Sequence, residues 1–366
     1  MTTATLTTVA PLVITGCGVV SPAGLGLAAL ASGVPAEQPD VSAVAEDLPP
    51  IPLSVVPDLD VEEYLGRKGV RHLDRTTKLA LVACNRALAG LAEPLDDEHK
   101  VRTGVIVGTS TGSIRSSSEF SRDTLVQEKP YLVRANLFPN SVMNCCAGQI
   151  AIWNGLRGVN ATIAGGRLSS LAAVRYARNA IVGGHVDRAL VGGVEELSAQ
   201  SAWAWHLTDA LLPNASVGEG CAVFVVETPK SAEAAGRRPL AELLACEVGS
   251  AGAEDERSSL AAGLADCVTR ALHRSGVSPD EVTTVSLGAS AQVGLARVEE
   301  RGVKAALGAL PARRLRVADV AGESFSASGA LQIAALLAEP SDGGAALVTS
   351  IGHDGNVGCL VVRTTG

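Results

Sequence analysis

Short apolar runs alternate with longer stretches of helical period along the whole chain. Pro11–Gly16 (PLVITG) predicts a buried strand closed by a glycine turn, because an unbroken apolar run between turn residues suits a strand covered on both faces. In His72–Gly90 the residues Leu73, Thr77, Ala80, Leu81 and Cys84 recur at three- and four-residue steps, which places them on one face of a helix. Thr103–Gly108 predicts a second strand running into the turn Thr109–Ser113. A third strand near Ala161–Ala164 is followed by a helix over Leu168–Val182, and Arg188–Gly193 and Cys221–Glu227 supply two more strands. The order then starts again: strand Leu240–Gly249, helix Ser258–Arg274, strand Thr283–Gly288, helix Ala327–Leu337, and closing strands Ala345–Ser350 and Cys359–Arg363. Strands alternating with helices of this length predict an α/β protein whose helices pack on largely parallel sheets. Pro229–Pro239, rich in proline, lysine and alanine, is the expected join between an amino-terminal half (1–230) and a carboxy-terminal half (231–366).

Composition narrows the class. Hydrophobic residues make up 47% of the 366 positions and aromatic residues only 3%, so alanine, valine and leucine must fill the core. With 39 glycines, this implies close helix–sheet contacts and many tight turns. The formal charge is −8 and no basic face is visible, which argues against a nucleic-acid partner. The eight cysteines contain no CxxC pair, so neither a zinc site nor a disulfide framework is expected and no cofactor is implied. No apolar run is long enough to span a membrane, and the first residues lack the basic and apolar regions of a secretory leader. A cytoplasmic location is the expectation.

Several short segments then carry a resemblance. LVITGCGVVSPAG (12–24), GVIVGTSTG (104–112), FPNSVMNCCAGQIAIWNGLRGVN (138–160), ALVGGVEE (189–196) and GEGCAVFVVE (218–227) are similar, in order and spacing, to segments of the β-ketoacyl synthases. These are the decarboxylating condensing enzymes of fatty-acid and polyketide synthesis. The resemblance covers nearly the whole chain. It implies the thiolase fold: two pseudo-symmetric βαβαβαββ halves in a five-layered α-β-α-β-α sandwich, paired as a dimer near segment 138–160.

That family's chemistry needs a cysteine thiolate at a helix N-terminus and two histidines that promote decarboxylation. At the family's spacing from Gly158, the cysteine position holds Arg167, which has no lone pair to attack a thioester. The first histidine position holds Leu287. The K-x-x-x-G-H element reads Ala318 to Glu323, so its lysine is Ala318 and its histidine Glu323. Catalytic residues are therefore expected to be none, with Arg167, Leu287, Ala318 and Glu323 at vestigial positions. The family loop before the G-E-G strand is shortened to 207–217, and the G-F-G-G gate turn reads Gly352-His353-Asp354-Gly355.

Other candidates read as structural. Cys145 and Cys146 sit among apolar neighbours and are expected to pack. His353 is expected to be a hydrogen-bonded turn residue, Arg157 to be solvated, and Trp153, Trp203 and Trp205 to anchor core or interface. Decay is a poor explanation for losses confined to the catalytic places while turns and strands persist. The resemblance thus implies a chain-length factor: a silent subunit that pairs with an active ketosynthase in a heterodimer, meets the acyl carrier protein through that complex, and shapes the polyketide chain cavity. The alternatives are an acyltransferase or priming decarboxylase with a rebuilt site, or an acyl-binding regulatory protein. Because the cysteine and second histidine face each other in the family fold, Arg167 and Glu323 are expected to meet as a bidentate salt bridge.

Overall fold

The computed structural model describes residues 8–33, 47–57, 59–91, 93–251 and 256–365; residues 1–7, part of the stretch read for a leader, lie outside them. The first half contributes β1 (Leu12–Ser21), helix α1 (Arg75–Ala89), β2 (Thr103–Gly108), α2 (Ile114–Val126), α3 (Cys145–Asn154), β3 (Asn160–Ile163), α4 (Ser169–Val182), β4 (Arg188–Glu195), α5 (Ala199–Thr208) and β5 (Gly220–Glu227). The second contributes β6 (Ala241–Ser250), α6 (Glu256–Ser275), β7 (Val282–Leu287), α7 (Leu295–Leu307), β8 (Arg313–Leu315), α8 (Ser328–Ala338), β9 (Ala345–Ile351) and β10 (Asn356–Thr364).

The strands lie in the order β8-β7-β9-β10-β6-β1-β5-β4-β2-β3. Read outward from the centre, β1-β5-β4-β2-β3 and β6-β10-β9-β7-β8 are one arrangement used twice. Their directions agree as well. In each, the outer three strands are parallel, and the strand between them and the central one is antiparallel to both neighbours. The two sets join where Leu12, Val13 and Ile14 of β1 pair with Leu243, Glu242 and Ala241 of β6.

Side-chain alternation sorts these strands into layers. In β5, Ala222, Phe224 and Val226 face a central core shared with α4 and α8, while Cys221, Val223 and Val225 face α1 and α3. In β10, Leu360 and Val362 turn to the same central core, and Cys359 and Val361 turn to α6 and α7. The result is helix, sheet, helix pair, sheet, helix, the five layers implied by the resemblance. Helix α8 (SGALQIAALLA) is buried almost all round, as a helix between two sheets must be. Small residues let the layers close up: a Cβ on Gly18 of β1 would come within 1.9 Å of the Ala83 carbonyl oxygen on α1.

The elements depart from the sequence expectations in a few places. Helix α1 begins at Arg75 rather than His72, because the Asp74 carboxylate caps it, accepting from the Thr77 amide at 2.8 Å, and 70–72 forms a separate turn. Helices α2, α3, α5 and α7 and the short edge strand β8 had no counterpart in the reading of the hydrophobic pattern. β8 is only Arg-Arg-Leu, partly exposed, so an apolar run could not mark it.

Candidate functional site

Helix α4 is preceded by a tight turn, Gly166–Leu168. Gly166 has φ 55°, a left-handed conformation that glycine adopts without strain, and it swings the chain so that Arg167 points inward. Arg167 is 3% exposed. Glu323 reaches the same place from the other half. The short helix Ala318–Ala321 ends at Gly322 (φ 68°), and the Glu323 backbone then pairs with the shortened loop: its N–H donates to the Ser216 carbonyl at 2.8 Å, and its carbonyl accepts from Gly218 N–H at 2.9 Å. Glu323 is 2% exposed.

The two side chains form a buried ion pair between Arg167 Nη1 and Glu323 Oε1. The expected bidentate geometry is not what forms. Arg167 Nη2 donates instead to the carbonyl of Gly288, so the guanidinium fork spans a carboxylate and a main-chain oxygen. Glu323 is completed by Gln292 Nε2 on Oε2 at 3.0 Å and by the Phe325 N–H on Oε1 at 2.9 Å. Loop 207–217 holds Gln292 in place through Leu212 N–H to Ala291 O and Val293 N–H to Ala210 O, both 2.9 Å.

A second carboxylate supports the turn that receives Arg167. Glu299 of α7 is fully buried and accepts from Gly288 N–H at 3.0 Å, Ala289 N–H at 2.8 Å and Thr349 Oγ1 at 2.7 Å. Burial pushes its carboxyl above the usual range, and these donors together with the nearby Arg167 cation pull the other way. Arg167 lies at the start of α4, where the helix dipole opposes a cation; Glu323 and Glu299 offset that field.

The four positions singled out in the sequence separate in space. Arg167 and Glu323 meet. The Leu287 side chain belongs to the outer apolar core with Val285, Leu272 and Leu295, and only the next residue's carbonyl reaches Arg167. Ala318 opens its short helix half-buried and has no polar side chain to offer.

Beside Glu323 lies a cavity of about 450 Å³, walled by Ile114, Ala204, Trp205, Val217 and Phe325, with hydroxyls of Ser110 and Thr111 and the carboxyls of Glu195 and Glu196. Trp205 stands edge-on to Phe325 at 5.7 Å. Trp205 therefore lines a cavity, whereas Trp153 packs against the outer core and Trp203 donates from its indole to Asp47 O at 3.2 Å. Burial pushes Glu195 and Glu196 up to about 7. Glu195 accepts from Ser110 Oγ at 2.5 Å and from Ser326 Oγ, and Glu196 from Ser113 Oγ at 3.0 Å.

No cysteine or histidine lines this cavity among the described residues. Cys145 and Cys146 sit at the start of α3, away from it; burial pushes Cys145 to about 11 and Cys146 well above its ordinary value. His353 is exposed on its turn, although the neighbouring Asp354 carboxylate approaches Gly166. Arg157 is exposed, as expected. The sequence reading missed Glu299, Gln292 and the cavity pair Trp205–Phe325. Glu299 did leave a signal: it is a carboxylate on the buried face of α7, beside Leu295, Val298 and Val303.

Comparison with known proteins gives a consistent picture. The family described as "Beta-ketoacyl synthase, N-terminal domain" matches residues 10–232. The 3-oxoacyl-(acyl-carrier-protein) synthase 2 of Vibrio cholerae serotype O1 is 23% identical over 300 residues, 76% of this chain and 72% of that protein. The Coxiella burnetii protein of the same name is 24% identical over 347 residues, 88% of this chain and 83% of its own. Among solved structures, the ishigamide ketosynthase/chain length factor aligns with a TM-score of 0.83 at 35% identity, covering 97% of this chain and 100% of that one. A type II PKS acyl-carrier protein in complex with its ketosynthase aligns at 0.78 and 19% identity, covering 98% and 100%, a likeness of fold alone.

Proposed function

The chain belongs to the β-ketoacyl synthase family, and on that premise we propose that it is a chain-length factor: a silent subunit that joins an active ketosynthase and helps to enclose the growing chain. The observation that carries this reading is the buried Arg167–Glu323 pair. It occupies the start of α4 where the family's nucleophile is expected, and it presents no group able to form a thioester. The division of labour follows. The partner condenses, and this chain contributes walls such as Trp205 and Phe325 to the space the product fills. Residues 1–230 and 231–366 are read as two fused halves, and the acyl carrier protein as reaching the complex through the partner.

The association surface in this reading is the stretch from α2 to α3. Leu125, Tyr131, Phe138, Val142, Met143 and Ile152 are exposed there, with Ile152 74% accessible, and β3 at the end of the sheet is nearby. An apolar patch of this kind is costly on a monomer. Co-expression with a catalytically competent type II ketosynthase should give a one-to-one complex, and Ile152→Glu should dissociate it on size-exclusion chromatography. Product should form only from the complex, with acyl groups on the partner alone. A chain that stays monomeric with every such ketosynthase would refute the reading.

One observation favours the enzyme alternative enough to test. Ser110 donates a 2.5 Å hydrogen bond to Glu195, whose carboxyl near 7 could take a proton at the cavity wall. Intact-mass analysis after incubation with acyl carrier protein substrates separates the readings: a stoichiometric ester mapping to Ser110 would make the chain an acyltransferase.

A further inference from the structure

At the other end of β4, seven residues before Glu195, the chain buries a cation whose guanidinium lacks hydrogen-bond acceptors and has only a long ion pair to Glu227. Arg188 is 3% exposed, and among the described residues its Nε and Nη1 have no hydrogen-bond acceptor. The nearest carboxylate oxygen, Oε2 of Glu227, is 3.7 Å from Nε, beyond hydrogen-bond reach. That carboxylate is already committed. Arg237 donates two bonds to it at 2.8 Å, and Thr15 Oγ1 and Ser231 Oγ each donate one at 2.6 Å. A guanidinium is ordinarily buried only with its donors satisfied, because unmet donors on a charged group cost more than a hydrogen bond normally returns.

Arg188 lines a cavity of about 440 Å³ between the helix Asp97–Val101, the start of β4 and the helix Pro229–Ala234. Its charged walls are Arg102, Arg188 and Lys230 against Glu98 and Asp187. Arg102 is fully used, on Asp187 at 2.7 Å and on the carbonyls of Gly184 and His185 at 2.9 and 3.2 Å. His99 is paired with Asp96 at 2.9 Å. Lys230 has no ion-pair partner among the described residues and stands exposed at the rim. Once the Arg102–Asp187 pair is set aside, Arg188 and Lys230 face the single carboxylate Glu98.

We propose that this cavity binds a phosphate group, free or as a monoester, held by the Arg188 guanidinium and the Lys230 ammonium. A planar guanidinium offers adjacent N–H groups that match two oxygens of one phosphate, and a lysine adds a point charge. The ligand supplies the acceptors that the protein withholds from Arg188. At about 3.3 Å per residue, the site lies roughly 23 Å along β4 from Glu195, so its occupancy is a separate matter from the acyl cavity.

The test is calorimetric titration of the full chain with inorganic phosphate, and then with glycerol 3-phosphate, in chloride buffer of matched ionic strength. Saturable one-site binding is expected. Lys230→Ala should weaken it by roughly fivefold and Arg188→Met by roughly tenfold or more. Arg188→Met should melt close to the parent, since it removes a buried charge with unmet donors and only a 3.7 Å ion pair, and leaves the Glu227–Arg237 pair intact. If that variant fails to fold, Lys230→Ala on the exposed rim still decides the matter. Tighter binding of glycerol 3-phosphate would assign the site to an ester, and tighter binding of phosphate to the free ion. Heats no larger than those of chloride, or equal binding by the parent and Lys230→Ala, would mean that the cavity holds water only.

Discussion

Breaking the Arg167–Glu323 pair from either side should cost different amounts, and restoring symmetry should recover much of the loss. In Arg167→Met, the cation serving two buried carboxylates disappears. Glu323 keeps only Gln292 Nε2 at 3.0 Å and the Phe325 N–H at 2.9 Å, and the Gly288 carbonyl loses its donor. Glu299 loses the positive field that opposes its burial. An uncompensated charge in such a site costs about 3–5 kcal/mol, and this variant belongs at the upper end. In Glu323→Gln, Arg167 keeps the Gly288 carbonyl and the field of Glu299, so the loss belongs at the lower end. The double variant leaves no unpaired charge at position 323, and the coupling should reach about 2–3 kcal/mol. Urea unfolding of the parent, both single variants and the double variant gives this number directly, provided the denaturant slope is unchanged. Additive losses, or equal losses from the two single changes, would refute the argument that one arginine serves both carboxylates.

Three further outcomes follow from the same geometry. Glu195 and Glu196 are raised from about 4.5 to about 7, so the folded state holds protons the unfolded chain has released; their stabilising contribution is complete below about pH 4.5 and is lost as pH rises through 7. Unfolding free energy measured from about pH 5 to about pH 8 should fall less steeply in Glu196→Gln than in the parent; parallel curves would contradict the shift. Trp205→Ala should enlarge the cavity beside Phe325 and, on the proposed chain-length-factor reading, move the products of a ketosynthase complex to longer chains on mass spectrometry; an unchanged product length would remove Trp205 from the chain-length wall. Cys145, pushed to about 11, should be alkylated by iodoacetamide at neutral pH at least about tenfold more slowly than a free thiol, and rapid stoichiometric labelling would show that its burial is not maintained.

Much of the site could be read from motif spacing together with the family resemblance, because glycine turns fix backbone geometry locally. Gly166 and Gly322 hold their neighbours in left-handed turns, and the resemblance to the family fold, in which these two positions face each other, implied that Arg167 would meet Glu323 from 156 residues away. The alternation of apolar strands and periodic helices likewise gave most of the strands and several helices in their order. Helix α7 went unread although Leu295, Val298, Gly302 and Val303 share a face, because its sequence is dominated by charge outside that stripe. β8 was illegible in principle, since three partly exposed residues carry no period.

What the chain by itself determined was therefore the class of fold, the places where side chains change, and the identity of the pair that fills one of them. Tertiary structure alone decided how that pair is satisfied. Arg167 divides its fork between Glu323 and the Gly288 carbonyl because the turn after β7, pinned by Glu299 from α7, brings a main-chain oxygen to it. Leu287 turns away into the outer core, since strand alternation and not motif position sets which layer a side chain enters. The lack of hydrogen-bond acceptors on Arg188 is of the same kind. Glu227 is near enough in space to be its partner, but Arg237, Thr15 and Ser231 converge on that carboxylate first, and such competition among distant residues leaves no trace in a linear sequence.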